Sequence, residues 1–136
     1  MFEIIRDIGA VTRLIQIKSN AEFRELGLAS NGFIYVIRVC EQPGMYLGAL
    51  ADSVQIDRTT AFRTVKKLVG EGYLALRSDD TDKRLRRVFP TAKAQALYPR
   101  LHAFEQVSSD QLLAGLNATE RQQLTGLLQK LVRNED

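Results

Sequence analysis

The stretch that most constrains this chain runs from Asp57 to Gly72. Asp57 is suited to cap a helix, because its carboxylate can accept from the unpaired amides of the first turn. Gly70 and Gly72 supply the stop, with Gly72 the better left-handed residue beyond the last turn. At 3.6 residues per turn, Ala61, Phe62, Val65, Leu68 and Val69 fall on one side, as a buried face requires. The opposite side collects Thr59, Thr60, Arg63, Lys66 and Lys67, with Arg58 at the opening turn and no acid among them. An ordinary surface helix mixes its charges. A one-sign face of this density asks for an anionic partner.

The charge of the whole chain sharpens that expectation. The net charge is only +3, yet residues 57–87 hold nine Lys/Arg against five Asp/Glu, leaving ten against eleven for the remainder. The excess therefore lies in one segment, the footprint of a local nucleic-acid contact rather than of a generally basic protein. A chain of 136 residues, 45% hydrophobic and 26% charged, is expected to form one soluble domain with its own core. No apolar run is long enough to span a bilayer, and acids stand near the start where an export signal would be basic. A cytoplasmic protein with no membrane partner is expected, and the lone Cys40 agrees with a reducing compartment.

In chain order, residues from about Phe2 to Ser19 predict a helix with an apolar seam of Ile4, Ile8, Val11 and Ile15, broadened by Ile5 and Leu14. Such a helix must dock on something, either the core or a second chain. Residues 21–29 read as a link. Ser30 or Asn31 then caps a second helix with Phe33, Ile34, Ile37 and Cys40 inward, ended by Pro43-Gly44. Leu47 to Val54 forms a third, short helix with Leu47, Leu50, Ala51 and Val54 on one face. Gln55-Ile56 joins it to the Asp57 helix, making a helix-turn-helix in which Ile56 plugs the corner.

Two strand-like stretches follow, Tyr73 to Arg77 and Leu85 to Phe89, around a polar loop carrying Lys83 and Arg84. Arg86 and Arg87 lie on the returning strand, and Asp82 is placed to orient an arginine. A hairpin directly after a helix-turn-helix describes a winged helix. Thr91 caps a long helix from about Ala92 to Ala114 with Leu97, Leu101, Phe104 and Val107 inward and Pro99 inside it, ended by Gly115. Asn117-Ala118-Thr119-Glu120 is a capping box, and Leu124, Leu127, Leu128, Leu131 and Val132 line the last helix. The fold class expected is mainly α with a small β-hairpin wing.

This order of parts resembles the MarR family of bacterial winged-helix regulators. The most specific match is Asp82-x-Arg84-x-x-x-Val88-x-x-Thr91, which looks like the family's wing signature lying before the long helix. The stretch from Leu50-Ala51 through Leu68, with Gly72 behind it, is similar to the helix-turn-helix portion, and residues 116–121 to the start of the terminal dimerisation helix. The resemblance implies a single domain over 1–136, with a DNA-binding winged helix at about 30–90 and dimerisation helices at about 1–20 and 91–136. It implies a homodimer on a palindromic operator in double-stranded DNA, with the central helix in the major groove and Arg84 in the minor groove.

The expected DNA-facing set is Arg58, Thr59, Thr60, Arg63, Lys66, Lys67, Lys83, Arg84 and Arg86. The expected dimerisation set is Ile4, Ile8, Val11, Leu124, Leu128 and Leu131. The resemblance further implies a repressor whose effector is a small aromatic or phenolic molecule held between the dimer helices and the winged helix. Three positions depart from the family pattern: Gln55 stands where many members have Gly, Tyr46 where a Ser or Thr caps the third helix, and Pro90 where the wing signature has Leu.

Enzyme readings fare badly. One His (His102) and one Cys make no zinc cluster, and there is no phosphate-cradling Gly loop or nucleophile elbow. No cofactor and no metal are expected. Cys40, on an apolar face of the second helix, reads as core, with redox sensing the alternative. A winged-helix module that binds protein rather than DNA is the other alternative.

Overall fold

The computed structural model describes residues 1–133. The elements are α1 (Phe2–Phe23), a 3-10 turn (Arg24–Leu26), α2 (Gly32–Glu41), β1 (Met45–Tyr46), α3 (Leu47–Val54), α4 (Arg58–Gly70), β2 (Leu74–Ser78), β3 (Arg86–Pro90), α5 (Ala92–Leu112) and α6 (Ala118–Val132). The strands form one antiparallel sheet in the order β1-β3-β2. Mainly helical structure with a small hairpin wing is the architecture expected. The short β1 is an addition that sequence did not show.

The helix-turn-helix forms for local reasons. α3 ends where Gln55 turns left-handed, at φ 55°, and its Nε2 donates to the Asp52 carbonyl at 2.9 Å. The turn is therefore made without the family's glycine; a side chain at positive φ is tolerated there at some strain. Asp57 caps α4 as expected: its Oδ1 accepts from the Thr60 amide and its Oδ2 from the Thr60 hydroxyl, both at 2.8 Å. α4 runs through Gly70, and Gly72 takes the left-handed position at φ 85°. Beyond it the Tyr73 hydroxyl donates to the Leu26 carbonyl at 2.6 Å, tying the chain after α4 to the 3-10 turn.

Two units can be distinguished, Met1–His102 and a second from Ala103 onward. In the first, the core gathers Tyr35, Val36, Ile37 and Val39 of α2, Leu50 and Ala51 of α3, Ala61, Val65 and Leu68 of α4, and Leu74 and Val88 of the wing. α2 is buried over most of its circumference, so Tyr35, Val36 and Val39 join Phe33 and Ile37 inside, while Ile34 and Cys40 are only half-buried. Apolar residues run almost unbroken from Phe33 to Cys40, interrupted only by Arg38, so the helix has no single narrow inward stripe for a one-face reading to find.

Other boundaries also differ from expectation. α1 continues to Phe23 rather than stopping near Ser19, and Phe23 and Leu28 are fully buried, so the supposed link is largely structured. Asn31 precedes α2 with φ 71° but makes no side-chain cap; the turn is closed instead by backbone bonds from Gly32 and Phe33 to Ala29 and Leu28. Val69 is 36% exposed and lies outside the buried stripe of α4. Thr91 caps α5 as expected, accepting from the Ala94 amide while its hydroxyl donates to the Gly72 carbonyl at 2.6 Å. α5 runs through Pro99 without interruption, but Val107 is exposed rather than inward.

In the second unit Asn117 and Glu120 form the full capping box. Arg121 donates to the carbonyls of Leu116 and Leu113 at 3.2 and 2.9 Å, fastening the turn before α6. The apolar seams of the two terminal helices remain open in the single chain. Ile4 and Ile8 of α1 are 58% and 42% exposed, and Leu128 and Leu131 of α6 are 41% and 58% exposed. Val11 and Leu124 are half-buried. None of the described helices is long and apolar enough to cross a membrane.

Candidate nucleic-acid interface

The outer face of α4 presents Thr59, Arg63, Lys66 and Lys67 to solvent, as the helical period requires once Ala61, Val65 and Leu68 are buried. Lys66 leans over the Phe62 ring at 5.1 Å. Arg58, at the first turn, reaches back to Asp52 with an Nη2–Oδ2 distance of 3.5 Å and remains largely exposed. Thr60 differs from the expectation in one respect. Its hydroxyl proton is committed to the Asp57 cap, leaving only acceptor capacity outward. The same two Thr60 bonds, backbone first, hold the Asp57 carboxyl below its ordinary range, with Arg63 contributing in the same direction.

On the wing, Lys83, Arg84 and Arg86 are exposed. Arg84 and Asp82 form a fork-to-fork pair, with Nε to Oδ1 and Nη2 to Oδ2 both at 3.1 Å, and the Arg84 amide adds a third bond to Oδ1 at 3.0 Å. Asp82 therefore does fix the arginine, and the arginine side chain keeps Asp82 below the usual carboxylate range. Arg58, Thr59, Phe62, Tyr46, Arg84 and Arg86 line one open groove of about 520 Å³ between the helix-turn-helix and the wing. Arg58 of α4 and Arg84 and Arg86 of the wing thus border a common concavity, while Arg63, Lys66 and Lys67 lie outside its lining.

Other chemistry is sparse. Among the described residues no group of three or more His, Cys, Asp or Glu could hold a metal ion. Cys40 is a free, half-buried thiol whose pKa is pushed up by burial and then by the charge of Glu41. A reactive cysteine requires the opposite shift. His102 stacks on Tyr98 with ring centres 5.7 Å apart, and the Tyr98 hydroxyl donates to Glu41 at 2.8 Å.

A model of the MarR family matches residues 28–85, the second helix through the wing tip. The HTH-type transcriptional regulator YybA of Bacillus subtilis (strain 168) is 34% identical over 134 residues, covering 98% of this chain and 89% of that protein. The chain belongs to the MarR family. Its fold agrees with solved MarR-type structures. That of the transcriptional regulator SlyA is 35% identical with a TM-score of 0.91, covering 96% of this chain and 92% of that one. A MarR family transcriptional regulator from Listeria monocytogenes, solved in complex with 26mer DNA, is 38% identical with a TM-score of 0.90, covering 96% and 87%.

Within this MarR family regulator, sequence reasoning missed a second cluster beside the groove. Asp79, only 5% exposed, accepts at Oδ1 from Arg87 Nε at 2.6 Å and from the Tyr46 hydroxyl at 3.3 Å. Arg87 spends its other nitrogens on the Gly44 carbonyl (2.8 Å) and the Tyr46 hydroxyl (2.7 Å), and lies over the Tyr46 ring at 4.3 Å. Tyr46, which lacks the family's capping hydroxyl, is part of this MarR wing's root. One signal pointed to it. Val88 is an inward strand residue, so Arg87 had to face the other side, away from the groove that Arg86 borders. What it would meet there could not be known without β1.

Proposed function

We propose that this MarR family transcriptional regulator acts in the cytosol as a homodimer on a palindromic operator, with α4 in the major groove and Arg84 in the minor groove. One observation carries this most directly: the exposed face of α4 is free of acids, and its first turn, at Arg58 and Thr59, shares a groove with Arg84 and Arg86 of the wing. The major groove of B-DNA admits a helix of this width. The planar, weakly hydrated guanidinium of Arg84 suits a narrow minor groove better than an ammonium would. Arg58, Lys66, Lys67, Lys83 and Arg86 serve phosphates, and Thr59, Thr60 and Arg63 face base edges. The complex of the Listeria monocytogenes relative with 26mer DNA supports DNA as the partner.

The dimer reading is supported by the exposed seams of Ile4 and Ile8 on α1 and of Leu128 and Leu131 on α6, apolar area that a second copy would cover. Repression, and release by a small aromatic or phenolic effector, are proposed by analogy with the family alone. No catalytic role is proposed.

Selection of duplexes from a random pool, followed by titration of salt against the selected site, tests the reading. A palindromic consensus and a steep salt slope are expected. Retention of no duplex at low salt would replace it with a protein-binding winged helix. Addition of aromatic carboxylates to the bound complex then tests for release.

A further inference from the structure

The wing carries Arg84, but the wing is attached to the helix-turn-helix by little backbone. β1 contributes only two ladder positions, Met45 opposite Val88 and Tyr46 opposite Arg87. A two-residue strand fixes the tilt of a hairpin poorly. Side chains make up the difference: Leu74 and Val88 pack the base of the wing into the core, and nearer the tip one buried carboxylate, Asp79, gathers the polar bonds.

Asp79 stands where β2 gives way to the loop, and its amide closes that loop on the Leu85 carbonyl at 2.9 Å. Its Oδ2 accepts from the Thr81 hydroxyl (2.8 Å), the Asp82 amide (3.0 Å) and the Thr81 amide (3.2 Å). Its Oδ1 takes the Arg87 and Tyr46 bonds already described. Tyr46 is itself the extended residue immediately before α3. A continuous line of charge-assisted bonds therefore runs from the start of α3 through Tyr46 and Arg87 to Asp79. From there it passes to the Asp82 amide, and from the Asp82 carboxylate to Arg84. Arg87, with every guanidinium nitrogen engaged, is an internal strut rather than a further DNA contact.

We propose that Asp79 and Arg87, acting through Tyr46 and Asp82, are positioning residues that set where Arg84 stands relative to α4. This rests on the reading of Arg84 as a groove contact. Neither residue touches DNA; both act on affinity through the wing arginine. The fork of Arg87 bonds three separate groups, so a lysine there keeps the charge and loses the geometry.

The test is a double-mutant cycle on the selected duplex. Asp79→Asn and Arg87→Lys are each measured alone and in an Arg84→Ala background, with thermal melts to confirm folding. Each single change should lower affinity roughly tenfold, the scale of one charged hydrogen bond. In the Arg84→Ala background the further loss should be under about twofold, because the residue they position is gone. Hydroxyl-radical footprints of the single variants should lose flanking minor-groove protection and keep protection across the central major groove. Should Asp79→Asn fail to fold, Tyr46→Phe, which removes one hydroxyl from the same line, stands in for it with the same expected coupling. Equal losses in both backgrounds would overturn the inference and leave the DNA-binding reading intact. Failure of the unmutated chain to bind any duplex would overturn both.

Discussion

Arg84 does not stand free at the wing tip: Asp82 grips its guanidinium by two bonds of 3.1 Å, one to each carboxylate oxygen. In the proposed complex a carboxylate beside DNA phosphates works against affinity by charge alone, so its contribution must come through geometry. Asp82→Asn should weaken duplex binding even though it removes a negative charge, because the arginine loses its fixed orientation. Arg84→Ala should weaken binding too and lower the salt slope by about one if a phosphate contact goes with it. Tighter binding by Asp82→Asn at every salt concentration would show simple repulsion and contradict the orienting role.

Acid should act on the wing through Asp79. The Asp82 amide, the Thr81 hydroxyl and Arg87, in that order, hold its carboxyl well below the usual range. A depressed folded-state pKa contributes stability that is complete above the unfolded value, about 4. That stability is lost as pH falls from there toward the folded value. Thermal melts between pH 7 and pH 3 should show a shallower acid decline for Asp79→Asn than for the unmutated chain, from a lower starting point. Parallel curves would remove Asp79 from the acid response.

A buried hydroxyl offers a test of the core. Tyr35 is 1% exposed, and its hydroxyl has no hydrogen-bond partner among the described residues. Burial raises its pKa, and Thr64 of α4 opposes that rise without making a bond of good geometry. Removing an unsatisfied polar atom should cost nothing, so Tyr35→Phe is expected to be neutral or stabilising by about 1 kcal/mol in denaturant unfolding. A loss of that size instead would mean that the hydroxyl is paired in solution.

The legible parts of this fold were those set by local chemistry. Asp57, Thr91 and the Asn117–Glu120 box announce helix starts because their side chains satisfy amides within a turn. Asp82 and Arg84 lie two residues apart, so their pairing was also foreseeable. The Asp79–Arg87–Tyr46 cluster was not, since Tyr46 and Arg87 are 41 residues apart and meet only through β1. A two-residue strand has no periodicity to detect. The end of α1 is hidden for a related reason: Phe23 and Leu28 are buried by tertiary packing that residues 21–29 do not reveal on their own.

The proposed dimer can be broken by a single charge. Ile8→Asp or Leu128→Asp would bury an unpaired carboxylate at the seam between subunits, which is costly. Sedimentation should show the unmutated chain as a dimer at micromolar concentration and either variant shifted toward monomer, with operator binding lost alongside. A stable monomer from the unmutated chain would remove the dimer and the palindrome together.

The measurement nearest the central claim is the salt-dependent affinity of Arg63→Ala and Lys67→Ala for the selected duplex, set against the unmutated chain. Both side chains project from the exposed face of α4, away from Ala61, Val65 and Leu68, so fold and assembly should be unchanged. Arg63→Ala should cost roughly 1–3 kcal/mol and relax sequence preference at one position, while Lys67→Ala should weaken all sequences alike and lower the salt slope by about one. Unchanged affinity and slope in both variants, with the unmutated protein still bound, would take α4 out of the groove and contradict the claim.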